Sequence, residues 1–285
     1  MNWKLLVLKK AVMGRIPFGN SLRRWKRSRF GYAPNAANMD CTLENYGDMK
    51  RTAEAAGASF LGGTVLEIGS GWFPVIPVLL CLEGAKQVLM SDLSPHMDDV
   101  TFGTAVRELV RRFPDRTDLR GISHRSQLPI KYLAPLDVAK IEDNSLDFII
   151  SRTVLEHIPE AELTRLFNAL RPKLKPSGHM VHLIDHSDHL EHQDKSITRI
   201  HFLTWSAGFH AALNRLIKEG ENRLRHHEYR RVFERAGYAV AIEEGAVHEG
   251  TRRRCGGLAL APPYDGMSAE QLSILTSIYV LRPRA

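Results

Sequence analysis

The segment "TVLEIGSGWFP", residues 64–74, is where the chain declares its architecture. Residues 64–68 read as a buried strand, and a glycine turn follows directly. The pattern is E-x-G-x-G. The third glycine of the full G-x-G-x-x-G fingerprint, counted from Gly69, is replaced by Pro74. Gly69 and Gly71 permit a tight strand-to-helix turn and let backbone approach a ligand. A third glycine would let the helix pack closely against a pyrophosphate site, so its absence argues against a dinucleotide and an NAD-dependent oxidoreductase. By itself, G-x-G after a strand is equally the mark of a merely structural turn.

Outward from this turn, short apolar runs alternate with longer helical ones. "PVIPVLLCLEGA" predicts a short helix with Pro74 in its first turn, and "KQVLMSD" a second strand. "PHMDDVTFGTAVRELVRRFPD" predicts a helix stopped at Pro114. "IKYLAPLD" and "SLDFIISRTV" are the third and fourth strands. The next helix starts at Pro159, carries Leu163, Leu166, Phe167 and Leu170 on one face, and should stop at Pro176 and Gly178. "HMVHLID" is the fifth strand. About forty residues without strands come next, a cap insertion at about 186–225 with helices split near Gly220, and strands at 238–244 and 272–283 finish the series. This alternation predicts an α/β fold of Rossmann-like type, a seven-stranded, mostly parallel sheet with helices on both faces. Ligands bind such sheets at the carboxyl ends of the strands, beneath the cap.

Asp92 ends the second strand about twenty residues after the glycine turn, where an acid accepts hydrogen bonds from ribose hydroxyls. The set "VLEIGSG", "SDLS", "LD" and "SLDFIISRTVLEHIPE" resembles the class I S-adenosylmethionine-dependent methyltransferases over roughly residues 60–185. The resemblance implies S-adenosylmethionine as cofactor. It would place Gly69, Ser70 and Gly71 along the methionine part with Glu67 beside them, Asp92 on the ribose, Leu93 on adenine, and Asp137 with Val138 at the adenine edge. Ser151 and Arg152 would approach the reactive end. Enzymes of this superfamily that modify nucleic-acid bases often carry N-P-P-Y or D-P-P-Y after the fourth strand. "SRTVLEH" stands there instead, which disfavours nucleic acid.

"LIDHSDHLEHQD", residues 183–194, holds three histidines and four acids. Methyl transfer to a hydroxyl needs an aligned acceptor and a group to take its proton, and histidine is suited to that at neutral pH. His189 is the expected general base, oriented by Asp185 or Asp188; His157 in "LEHIP" is the competing placement, or else a backbone-bonding residue at a helix entry. D-x-x-D-H is similar to a motif in a bacterial methyltransferase group that modifies sugars and surface polysaccharides. That likeness implies a small-molecule or glycan acceptor, with His186, Asn222, Arg223 and Arg225 facing it. The stretch also reads as a solvated loop. Asp185, His186, His189 and His192 are also suitable metal ligands, but no metal is expected, because the spacing matches no H-E-x-x-H pattern and the reaction does not demand one.

The net charge of +7 is concentrated at one end: residues 1–39 carry nine bases and no acid, and the remainder 30 bases and 32 acids. The division expected is a basic amphipathic arm over residues 1–40 and a methyltransferase domain over 41–285. Residues 1–30 read as a helix on an anionic membrane surface with Trp3 and Trp25 at the interface, or as an arm packed back on the domain. An RNA methyltransferase gripping phosphates with this arm, and a non-catalytic binding module, are the alternative functions. Three widely spaced cysteines form no C-x-x-C pair, and no apolar run approaches the roughly 20 residues of a membrane span, so a cytoplasmic protein, peripheral at most to the inner membrane face, is expected. Oligomeric state has no signature in the sequence.

Overall fold

The computed structural model describes residues 2–15, 25, 29, 36–217 and 220–284. Most of the arm beyond residue 15, including Ile16 and Phe18, lies outside the described residues.

The sheet has seven strands in the order β3-β2-β1-β4-β5-β7-β6, where β1 is Thr64–Ile68, β2 Gln87–Ser91, β3 Ile130–Leu133, β4 Leu146–Arg152, β5 Leu174–Asp185, β6 Tyr238–Val247 and β7 Ile274–Pro283. The first five run parallel and β7 is antiparallel to both neighbours. The order reverses between β1 and β4, and that is the switch point where such sheets open a crevice at their carboxyl edge.

Central strands read as nearly continuous apolar runs because helices cover both faces. Alternate side chains build two cores. Val65, Val88, Phe148 and Ile150 pack under helices Ala36–Ala55 (α2), Val75–Leu82 (α3) and Asp99–Arg112 (α4). Leu66, Ile149 and Met180 pack on the opposite face under Glu160–Leu170 (α5) and His226–Arg235 (α7).

Three boundaries differ from the sequence reading. Helix α5 ends at Leu170, and Pro176 and Gly178 lie inside β5, in the irregular stretch between Leu174, paired with Leu146, and His179, paired with Phe148. β3 stops at Leu133, so Asp137 caps a separate short turn over Val138–Lys140. Helix α2 runs straight through residue 40, so no break in the backbone separates arm from domain there.

Helix α1, Trp3–Met13, packs back on the domain. Leu6 and Val7 are buried against Leu190 and against Leu213 and Ile217 of the cap helix Ala207–Ile217 (α6). Trp3 lies 5.3 Å from the ring of Trp205, and its amide donates to Asp194. Trp3 is therefore a docking residue, while Trp25 is exposed.

Candidate active site

The glycine turn is held by its neighbours. Gly69 and Gly71 have φ of 72° and 65°, in the left-handed region that glycine adopts without strain. The two serve different ends. A Cβ on Gly69 would lie 2.5 Å from Val154 Cγ2, whereas one on Gly71 would meet nothing within 4 Å. Gly69 is needed for packing, and Gly71 faces the open space a ligand backbone would enter.

Asp92 sits at the end of β2, with Oδ2 accepting from the Gly71 amide at 3.0 Å and Oδ1 from the Leu93 amide at 2.8 Å. Leu93, an apolar side chain, is 88% exposed among the described residues and lines the site's cavity. Glu67 is buried and bonded to Ser70 Oγ; burial pushes its pKa up to about 7 against that bond and the charge of Arg152. These groups fit a nucleoside with an adjoining amino-acid chain. Asp137 is spent on its own turn, accepting from the Ala139 amide, and Val138 packs beside the α5 core.

Ser151 departs from its expected place at the cofactor. Its hydroxyl is fully buried and bonded to His182 Nδ1 at 2.8 Å, between neighbouring strands. Arg152 keeps an electrostatic contact with Glu67.

Beyond the strands, the two histidine placements meet in one site. Thr153, a β-branched residue at φ 51°, turns the chain sharply out of β4 and presents Glu156 and His157. His157 and His189 rings stand edge to face at 4.9 Å. His189 Nε2 is 3.4 Å from Asp185 Oδ2, at ion-pair distance but outside hydrogen-bond geometry, and its Nδ1 is 3.4 Å from Glu221 Oε1. Burial alone would lower the pKa of His189. Asp185, Glu221 and Glu156 overcome it and push the value up to about 9, so the imidazole is a cation at neutral pH. The same pairing pulls Asp185 down to about 2 against its burial, while burial lifts Glu221 to about 7 and Glu156 to about 8.

Four expected substrate contacts turn out to be framework. His186 is buried between Ser277 and the Leu224 carbonyl, and burial drives its pKa down to about 3. Asn222 donates to the carbonyls of Leu155 and Ile158. Arg223 donates to the carbonyls of Phe202 and Trp205, and Arg225, fully buried, to those of His186, Leu272 and Ile274. Asp188 is also no partner of the His189 ring. It accepts from the amides of Leu190 and Phe202, and so shapes the loop.

A cavity of about 600 Å³ joins the two halves, running from Asp92 and Leu93 past Trp72 and His96 to His157, His189 and Glu221, with the cap and Lys10 of α1 around it. Glu156, Glu221 and Lys10 are the residues sequence reasoning missed. Glu221 stands directly before Asn222, yet its meeting with His189 across 32 positions leaves no local trace.

This sheet order, with a glycine turn and a ribose-height acid at its switch point, defines a class I S-adenosylmethionine-dependent methyltransferase. The chain belongs to the methyltransferase-domain family, whose model matches residues 42–242. Among solved structures it is similar to an S-adenosylmethionine-dependent methyltransferase from Mesorhizobium loti (17% identity, 81% of this chain and 96% of that one, TM-score 0.46). It is also similar to the magnesium protoporphyrin IX methyltransferase of Synechocystis with bound S-adenosylhomocysteine (13%, 97% and 100%, TM-score 0.49). A third is Haemonchus contortus phosphoethanolamine N-methyltransferase 2 in complex with S-adenosylmethionine (17%, 84% and 53%, TM-score 0.48). No curated protein matches.

Proposed function

We propose that this methyltransferase alkylates a hydroxyl of a sugar, glycolipid or similar small metabolite, with the acceptor's proton passing to Glu221, which the His189 imidazolium and its Asp185 partner hold beside the acceptor. The observation that supports the reading is the cavity of about 600 Å³, lined at one end by Asp92 and Leu93 and at the other by His157, His189 and Glu221. That size suits a small molecule. Bound S-adenosylmethionine supplies an activated methyl group and its own leaving group, so the protein's share is alignment, exclusion of water and removal of one proton. Lys10 is the single Lys or Arg among the described residues lining the cavity, which disfavours a phosphate-rich RNA acceptor. The arm supports a second part of the proposal. Leu5, Leu8 and Val12 form an exposed stripe on α1, facing away from Leu6 and Val7, and suit an anionic membrane surface near an amphiphilic acceptor.

The test is radiolabelled S-adenosylmethionine offered with fractionated lysate, membranes included, to wild type and His189→Ala. Wild type should label one glycan or lipid fraction. The variant should bind S-adenosylhomocysteine as before in calorimetry while turnover falls by roughly 10²–10⁴. Label entering RNA, or undiminished turnover by the variant, would overturn the proposal.

A further inference from the structure

Beside the cofactor pocket lies a group of side chains that proton transfer alone does not account for. Glu156 is 3% exposed, and neither carboxyl oxygen has a hydrogen-bond partner among the described residues. A buried carboxyl group with neither oxygen hydrogen-bonded is costly in either protonation state, and such groups in folded proteins are generally paired or bound to a metal. Next to it, potential ligand atoms of Glu156, His157 and His189 all lie within 4.8 Å of one another.

The two histidines are held as metal-ligating histidines usually are. His157 Nδ1 is bonded to the Gly220 carbonyl at 2.8 Å, and His189 Nδ1 faces Glu221 at 3.4 Å. A carbonyl or carboxylate on one ring nitrogen holds its N–H and leaves the other nitrogen for an ion, which at His189 takes the place of the second proton the imidazole carries without it. Asp185 Oδ2, 3.4 Å from His189 Nε2, adds a second carboxylate at the edge of the group. A second triad, Asp185, His189 and His192, shares the central histidine, but His192 is half exposed and this set lacks a buried, unpartnered acid.

We propose that Glu156, His157 and His189 bind a first-row divalent cation at the acceptor end of the cavity. Two imidazoles and a carboxylate suit Zn²⁺ or Co²⁺ better than Mg²⁺, Ca²⁺ or Mn²⁺, which favour oxygen donors. His157 and His189 also line the cavity, so the ion lies where an acceptor hydroxyl would arrive. Its charge lowers the pKa of that hydroxyl, and Glu221 is placed to receive the proton released. This role for the ion rests on the hydroxyl reading above; the binding site itself does not.

The experiment uses full-length protein stripped with EDTA and dialysed. Titration with Co²⁺, followed by its visible absorption, and with Zn²⁺, followed by calorimetry, should each show saturation at one ion per chain, with Mg²⁺ weaker. Glu156→Gln and His157→Gln should each weaken Co²⁺ binding by about tenfold or more. S-adenosylhomocysteine binding, measured on the same samples, should be unchanged and reports an intact fold. Absent saturation by either ion, or Co²⁺ affinity unaltered in both variants while S-adenosylhomocysteine still binds, would overturn the cation site and leave the methyltransferase standing. A saturable cation site in protein that labels no hydroxyl acceptor would sink the hydroxyl reading instead.

Discussion

Gly69 and Gly71 look interchangeable in the sequence, and the structure gives them opposite sensitivities. Alanine at Gly69 adds left-handed strain and a clash with Val154, so Gly69→Ala should lose about 1–3 kcal/mol in chemical denaturation. Gly71→Ala meets only the backbone penalty, about 1 kcal/mol, but places a methyl where the ligand's backbone enters. Its larger effect should appear in S-adenosylhomocysteine affinity. The reverse ranking would show that the turn is not the cofactor's cradle. His182 makes a different prediction. Its side chain is fully buried, with Nδ1 on Ser151 and Nε2 unpartnered, and burial drives its pKa from the ordinary value near 6.5 to about 3. Between those values the unfolded chain holds a proton that the folded one does not, so stability falls as pH drops through 6.5 and continues to fall toward 3. The slope reaches about 1.4 kcal/mol per pH unit for this group. The buried Glu67, Glu156 and Glu221, with raised pKa values, act in the opposite sense over the same range, so the loss is read as a difference. In urea denaturation between pH 7.5 and 5, wild type should lose stability relative to His182→Asn as pH falls.

At the level of elements, what was legible in the sequence follows from how each element is stabilised. β1, β2, β4 and the end of β5 are buried on both faces and announce themselves as apolar runs, and the glycine turn needs a backbone conformation that names its residue. Helix α2 was missed because its buried residues, Met39, Tyr46, Met49, Thr52 and Ala53, are interrupted by polar neighbours and include a threonine. The cap misled for another reason. "NRLRHHEY" reads as a polar pocket wall, but its polar groups satisfy backbone carbonyls from segments far away in the chain. Local sequence carries no record of such long-range pairing. Arg225 is the strongest case, tying the carbonyl of His186 to those of Leu272 and Ile274 and thereby joining the end of β5 to the entry of β7. Arg225→Met removes the donors and leaves buried carbonyls unpaired, at a cost of about 3–5 kcal/mol. Thermal denaturation should report a large drop in midpoint. A variant as stable as wild type would return Arg225 to the pocket wall where the sequence placed it.

On the scale of the whole molecule, the unequal distribution of charge and apolar surface converges on one side. No described helix is long and apolar enough to cross a membrane. Helix α1 is nonetheless apolar on two sides. One side is spent on the cap through Leu6, Val7 and Ala11, which leaves Leu5, Leu8 and Val12 outward with Lys4 and Lys9 among them. Phe209 and Leu216, exposed on α6 against which α1 packs, add to the apolar surface. Lys10 of the same helix borders the cavity, so α1 links this outward surface to the cavity's edge. A basic helix with this surface gains from burying apolar area at a bilayer interface and from attraction to anionic lipid, and the second contribution is screened by salt. Full-length protein should therefore sediment with phosphatidylglycerol vesicles at low salt, less with phosphatidylcholine vesicles, and less again as salt is raised. Leu5→Ser with Leu8→Ser removes exposed side chains only, so stability should hold within about 0.5 kcal/mol while vesicle binding falls severalfold. Equal sedimentation with neutral and anionic vesicles, or binding unchanged in the double variant, would reduce α1 to a strap that holds the cap in place.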